Sequence, residues 1–313
     1  MWSYDDPRAA IADALRLSRA MTLKAAVADL PLGGGKGVIM LPAGPPSPRV
    51  RRAALADFGD LVETLQGRYI TAEDVGTSSR DMSAIAQRTG HVAGLARSRG
   101  GSGDPSPLTA LGVEAAIRAG CETTFGTASL RERSVCVLGL GNVGSRVAKR
   151  CARAGARLVI ADVDDRKRAL AGPLGAAWIT PQQAVAAEVD VLAPCALGGV
   201  IDDDAVARLR CSVIAGAANN QLADDRVAER LAARGVLWIP DFVANAGGLI
   251  NIAEEIGGYD AATARRRVQA IGDTLREILR VARSARTTPL AAALDVARGR
   301  LASASGPEPG HAA

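Results

Sequence analysis

Lys24 ends the run Met21-Thr22-Leu23-Lys24, Lys36 follows Gly33-Gly34-Gly35, and Asp74 sits within Thr71-Ala72-Glu73-Asp74-Val75-Gly76-Thr77. Two lysines and an aspartate on separate short elements form a set that a fold can gather into one cleft. One cation can hold a carboxylate, a second lysine can activate water, and the aspartate can move a proton. A lysine works as a base near neutral or mildly alkaline pH only if its pKa is pushed down. Burial beside a second cation such as Lys24 would do that to Lys36. The glycines before Lys36 invite a phosphate-loop reading, which fails because Leu30 stands where G-x-x-x-x-G-K needs glycine and Gly37 where it needs Ser or Thr. They are read instead as letting substrate and backbone come close beside Lys36. Each residue alone has a plainer reading, a solvated lysine or a strand-end cap, and it is the order and context of all three that favour chemistry.

A second motif supplies a cofactor site. Gly139, Gly141 and Gly144 form G-x-G-x-x-G directly after the apolar run Val135-Cys136-Val137-Leu138, and an apolar-striped helix with Val143, Val147 and Cys151 follows. The first glycine permits the tight turn, the second lets backbone approach a pyrophosphate, and the third allows helix to pack on strand. Asn142 and Val143 lie inside the same turn, and a helix N-terminus there presents N–H groups to phosphates. Asp162 closes the next strand, where a carboxylate would bind the adenosine ribose hydroxyls. Asp162, Asp164 and Asp165 would repel a 2′-phosphate, which favours NAD over NADP, although Arg166 and Arg168 could offset them. A lysine, lysine and aspartate cleft with a dinucleotide site is the set that amino-acid oxidation requires.

The elements that position these residues can be placed from pattern. Asp6-Pro7 marks a helix start, with Ile11, Leu15, Ser18, Met21 and Ala25 at helical spacing and Lys24 near its end. Val38–Leu41 reads as a strand, Pro42–Pro48 as a surface connection, 50–65 as a helix, and Tyr69–Ala72 as a strand with Asp74 just past its carboxyl end. Ser98–Pro107 is rich in Gly, Ser and Pro and reads as a hinge between domains. Beyond it, strands at Val135–Leu138, Leu158–Ala161, Val189–Ala193, Val213–Ala215 and Val236–Ile239 alternate with helices, which argues a parallel, doubly wound sheet. The fold class is α/β in two domains: an N-terminal α/β substrate domain, 1–105, and a doubly wound, Rossmann-like NAD-binding domain, 106–288. Residues 302–313 read as a disordered tail.

Composition narrows the classes. With 313 residues, 48% hydrophobic and 23% charged, the chain suits two globular domains. No apolar run approaches the ~20 residues of a membrane span, and the start lacks a secretion-signal pattern. The five cysteines show no CxxC spacing, which speaks against zinc or a disulfide framework and fits a reducing cytoplasm. The net charge of +5 reads as solvated arginine faces, and nine aromatics offer no base-stacking strip for nucleic acid. No metal site is expected.

Five segments in order, Leu32–Lys36, Tyr69–Thr77, Pro194-Cys195-Ala196-Leu197-Gly198, Ala217-Ala218-Asn219-Asn220-Gln221 and Asn245-Ala246-Gly247-Gly248, closely resemble the leucine/valine/phenylalanine dehydrogenases, a branch of the glutamate dehydrogenase superfamily. The resemblance covers about residues 10–282. It implies that Lys24 binds the substrate carboxylate, that Lys36 is the catalytic lysine assisting water attack on the iminium, and that Asp74 shuttles protons at the amino group. It also implies that Thr109 holds the nicotinamide carboxamide and that Asn220, with Asn219 beside it, lies near the nicotinamide ribose and the substrate. An L-amino acid would be oxidised by NAD to a 2-oxo acid and ammonia, in a cleft that closes between domains of a homo-oligomer. Residues 289–313 would return to the first domain. Ala72, Leu249 and Ile252 fall where the family lines its side-chain pocket. All three are apolar, so a buried acidic side chain there would lack a partner. Branched aliphatic substrates (leucine, valine, isoleucine) are favoured, while 241–248 also looks like the phenylalanine branch.

The family usually carries further residues before the position of Trp2, including strands of the first domain and a Gly-Gly-x-Arg segment beside the substrate. Either the recorded start is too late, or the chain is a truncated NAD-binding paralogue with weak or no catalysis.

Overall fold

The computed structural model describes residues 1–41, 44 and 46–304. Residues 42, 43 and 45 of the expected 42–48 connection, and 305–313 of the expected tail, lie outside the described residues. The chain divides into two compact units. Among the described residues, one comprises 1–26, 30–105 and 249–265, and the other 27–29, 106–248 and 266–304.

The first unit opens with β1 (Trp2–Ser3) and α1 (Pro7–Val27). Asp6 caps α1, its side chain accepting the Arg8 N–H at 2.9 Å. β2 (Met40–Leu41) pairs in parallel with β1, so the strand expected over Val38–Leu41 is confined to its last two residues. α2 (Pro48–Thr64) starts on Ser47, whose hydroxyl accepts the Val50 N–H, with Pro48 in the first turn. α3 (Ser79–Ile85) is set by a capping box between Ser78 and Asp81. Leu55, Met82 and Ile85 form the core here, with Ile39, Phe58, Val92 and Leu95 packed against it. On α1, Ala25 is buried but Ile11 and Leu15 are 61% and 68% exposed. Helical spacing located the helix correctly while two of its apolar positions face outward.

The strand expected over Tyr69–Ala72 is reduced to a single parallel bridge between Thr71 and Val92. Thr71 N–H donates to the His91 carbonyl at 3.0 Å and its carbonyl accepts from Ala93 at 2.8 Å. Gly90 and Gly94, the latter at φ +78°, bracket the partner segment.

The second unit begins with α4 (Ser106–Phe125) and holds a six-stranded, all-parallel sheet. Its strands are β3 (Ser134–Leu138), β4 (Arg157–Ala161), β5 (Ala177–Trp178), β6 (Val191–Pro194), β7 (Val213–Ile214) and β8 (Leu237–Trp238), in the order β5-β4-β3-β6-β7-β8. This is the doubly wound arrangement, with the sheet reversing direction at β3. Only β5, two residues long, escaped the sequence pattern. α5 (Gly144–Arg153) follows the glycine turn after β3. One side of the sheet buries Cys136, Leu192, Ile214 and Trp238 with Leu231 and Ile201.

The chain returns between units at a different place from that expected. Helix Pro289–Ala304 belongs to the second unit, where Ala292, Ala293 and Ala297 are buried and Arg300 donates to the Val27 carbonyl at 2.7 Å. The segment that joins the first unit is Leu249–Arg265. Glu255 fixes it there, its carboxylate accepting the N–H groups of Gly94 at 3.0 Å and Ser102 at 2.8 Å.

Candidate active site

Lys36 and Asp74 meet in the first unit. The Lys36 ammonium makes an ion pair with Asp74 Oδ2, with the lysine side chain 20% exposed and the aspartate 49%. Asp74 is held by its own turn: Thr77 Oγ1 accepts the Asp74 N–H at 3.0 Å and donates to the Asp74 carbonyl at 2.7 Å, and Asp74 Oδ1 accepts from Val75 at 2.7 Å. Burial pushes the Lys36 pKa below its ordinary value, and the Asp13 carboxylate opposes that shift. Desolvation therefore does what a second cation was expected to help with. Lys24 lies in the last turn of α1.

The glycines around Lys36 serve the protein's own packing more than substrate access. At Gly34, φ +93°, a Cβ would overlap the Thr22 backbone of α1. At Gly35 it would lie 2.8 Å from the Tyr69 ring, and at Gly37 2.6 Å from the Phe58 ring. Gly33 alone faces open space. Ala72, Leu249 and Ile252 all belong to this unit and are each partly buried.

The dinucleotide turn lies in the second unit. Gly139 has φ +98°, and a Cβ there would lie 2.6 Å from Ala196 Cβ in the Pro194–Gly198 loop. A Cβ on Gly144 would overlap the Gly139 carbonyl, whereas Gly141 has nothing within 4 Å. The outer two glycines thus clamp the turn and the middle one leaves room for a pyrophosphate at the start of α5. Asn142 is exposed and its carbonyl accepts from Arg146 at 2.6 Å. Val143 precedes the helix as its cap position. Asp162 accepts the Leu140 N–H at 2.5 Å and the Asp164 N–H at 2.9 Å, which fixes its carboxylate at the end of β4. Arg166 is paired with Asp164 at 2.8 Å, so it is already engaged by a neighbouring acid. These features fit NAD.

Thr109 stands in the first turn of α4, and Gly247 packs against its backbone. Asn219 and Asn220 follow β7, with Asn220 in the left-handed region at φ +50°. A buried polar network holds this loop. Gln221 donates through Nε2 to the carbonyls of Gly216 and Ala218, accepts from Trp238 Nε1 at 3.2 Å, and gives its N–H to Asp241 at 2.8 Å. Asn245 Nδ2 donates to Asn219 Oδ1 at 2.7 Å and to the Ala217 carbonyl. Gln221, Asn245 and Asp241 stand inside motifs that the sequence displays, and Trp238 inside an expected strand, but no role followed from their types alone. Among the described residues no group of His, Cys, Asp or Glu could hold a metal ion.

Residues 5–91 match the model of the Glu/Leu/Phe/Val dehydrogenase dimerisation domain, and 161–304 that of the Glutamate/Leucine/Phenylalanine/Valine dehydrogenases. Leucine dehydrogenase of Bacillus cereus is 41% identical over 305 residues, covering 97% of this chain and 82% of that protein. The chain belongs to this dehydrogenase family. Phenylalanine dehydrogenase of Caldalkalibacillus thermarum is 37% identical, over 96% of this chain and 82% of the relative. The crystal structure of L-tryptophan dehydrogenase from Nostoc punctiforme superimposes with a TM-score of 0.84 at 38% identity, over 96% of this chain and 86% of that one. Residues 112–197 also match the NAD-binding domain of D-isomer specific 2-hydroxyacid dehydrogenases, a match confined to the dinucleotide fold. As a member of the family, the protein is an NAD-dependent oxidoreductase of the amino-acid dehydrogenase class.

Proposed function

We propose that the protein oxidatively deaminates an apolar L-amino acid, with branched aliphatic side chains preferred, to the 2-oxo acid and ammonia. The observation that carries this reading is the ion pair between the partly buried Lys36 and Asp74. Lys24 would hold the substrate carboxylate as a point charge. Asp74 would take a proton from the substrate ammonium and return one to the departing amine. Neutral Lys36 would draw the proton from the water that adds to the iminium carbon. NAD, when bound, supplies the acceptor for the hydride that leaves the α-carbon. Gly139, Gly141, Asn142, Val143 and Gly144 would cradle its pyrophosphate, Asp162 its adenosine ribose, and Thr109, Asn219 and Asn220 its nicotinamide half.

Ala72, Leu249 and Ile252 support an apolar side chain, because an acidic one would be buried without a partner. Leucine, tryptophan and phenylalanine dehydrogenases are all among the relatives, and Leu249 and Ile252 are the bulky positions that favour leucine, valine or isoleucine. The dimerisation-domain match and the exposed Ile11 and Leu15 support a homo-oligomer.

The test is NADH formation at alkaline pH across leucine, valine, isoleucine, phenylalanine, tryptophan, alanine and glutamate, with Lys36→Ala beside the native chain. Turnover of branched substrates that vanishes in the variant is the expected result. NAD binding without turnover of any of them would replace this reading with that of a catalytically weak paralogue.

A further inference from the structure

One face of α2 supports both halves of the Lys36–Asp74 pair. Arg51, Leu55 and Phe58 stand at i, i+4 and i+7 on this helix and so share that face. Leu55 is buried against Met82 and Ile85, with Phe58 packed beside them. A Cβ on Gly37, the residue after Lys36, would lie 2.6 Å from the Phe58 ring, so the lysine loop rests on α2.

The turn bearing Asp74 is tied to the same helix, two turns earlier. Residues 73–76 are exposed, so no buried side chain seats them. The bonds of Asp74 to Val75 and Thr77 set the shape of the turn but not its place. Its backbone is held from outside at two carbonyls. That of Val75 accepts from the Met1 nitrogen at 3.0 Å, and that of Gly76 accepts from Arg51 Nη2 at 2.8 Å. Arg51 is itself locked. Its Nε and Nη2 donate to the two carboxylate oxygens of Asp81 at 3.1 and 2.7 Å, and Asp81 closes the capping box that starts α3. The fork is bidentate and its side chains are only 32% and 12% exposed, which sets it apart from the loose ion pairs of a surface.

We propose that Arg51 is a positioning residue for Asp74. Its fork fixes the guanidinium on Asp81, its bond to Gly76 sets the turn on α2, and Phe58 seats the Lys36 loop on the same helix face. The helix thereby keeps acid and lysine in register. This rests on Asp74 being the group that moves protons at the substrate amine, and on nothing about which amino acid is oxidised. A misplacement of about 1 Å at such a pair can lower the rate by roughly a hundredfold.

Arg51→Ala removes both contacts and leaves Leu55 and Phe58 in place. We expect kcat to fall about tenfold while KM for the amino acid changes much less, because Lys24 rather than Asp74 holds the carboxylate. Millimolar guanidinium should restore part of the loss in this variant and leave the native chain unaffected. Arg51→Lys keeps the charge but not the planar fork, and its kcat should fall between the two. Native kcat in Arg51→Ala, or a loss carried wholly by KM, overturns the proposal.

A second readout does not depend on turnover. The N–H groups of Asp74, Val75, Thr77 and Ser78 are all bonded within the turn or its cap. Their millisecond hydrogen exchange should quicken in Arg51→Ala, while residues 55–64 and 82–86 keep native protection. That pattern supports the proposal even if the native chain oxidises none of the amino acids offered. Unchanged exchange in the turn, or exchange that quickens equally in all three segments, overturns it.

Discussion

One carboxylate oxygen of Asp162 accepts the Leu140 N–H at 2.5 Å while the other accepts the Asp164 N–H at 2.9 Å. The end of β4 and the glycine turn after β3 are thus joined by one side chain. Asp162→Ser keeps a small acceptor but cannot reach both donors. KM for NAD should rise about tenfold or more, through lost charge-assisted contacts to a diol. Discrimination against NADP should shrink at the same time, because the repelling carboxylate is gone. Saturation kinetics with both cofactors check this; an unchanged KM for NAD would remove Asp162 from the cofactor site.

The pH dependence of activity should follow Lys36. Its pKa is lowered by burial and partly restored by Asp13, and the Asp74 carboxylate paired with it also favours the charged form. The neutral amine is the working form, so kcat/KM should rise with pH through that lowered pKa and then level off. Asp13→Asn removes one opposing carboxylate, and the midpoint should move to lower pH. Asp13 also accepts from Tyr4 Oη and Arg16 at 2.6 Å, so a thermal melt should accompany the kinetics. A midpoint that stays in place would mean that Asp13 does not act on the lysine.

Enlarging the substrate pocket should change preference in a fixed direction. Leu249→Ala removes one of the two bulky residues assigned to it. A methylene in such a pocket is worth ~1–3 kcal/mol, so kcat/KM for phenylalanine relative to leucine should rise roughly tenfold or more. An unchanged ratio would mean that Leu249 does not face the side chain of the substrate.

Much of this was legible in the sequence because the functional segments combine unusual residue types with local constraints. The G-x-G-x-x-G turn shows itself in three glycines that structure later gives distinct jobs, and the sheet in apolar runs four or five residues long. What escaped was long-range. Nothing local to Ile11 and Leu15 says whether a helical stripe faces a core or the outside. Tyr69–Ala72 looks like a strand because its composition suits one, yet a strand needs a partner, and 91–93 offers only a bridge. The return of Leu249–Arg265 to the first unit depends on Glu255 meeting two N–H groups more than 150 residues away in sequence, which no periodicity encodes. The glycines flanking Lys36 were given to the substrate, whereas Tyr69, Phe58 and Thr22 claim them.

The thiols should be inert in the native protein. Burial pushes Cys136, Cys151 and Cys195 up to about 12 and Cys121 and Cys211 up to about 11. Since the thiolate is the nucleophile, iodoacetamide at pH 8 should label the folded chain very slowly. The same reagent in denaturant should label all five. Rapid modification of Cys195 without unfolding would show that the Pro194–Gly198 loop opens.

Self-association should depend on the outward side of α1. Ile11 and Leu15 are one helical turn apart and more than half exposed, and Trp2 at the start of the same unit is 57% exposed. Exposed apolar side chains one turn apart on a helix are ordinarily covered by a partner, and a symmetric copy of the same chain can supply one. Ile11→Lys with Leu15→Lys leaves the helix-forming character of α1 intact, because lysine has a good helix propensity. Sedimentation at micromolar concentration should then show the native chain as an oligomer and the double variant as a smaller species with the same helical circular dichroism. Identical sedimentation of the two chains would place the interface on another face of the first unit.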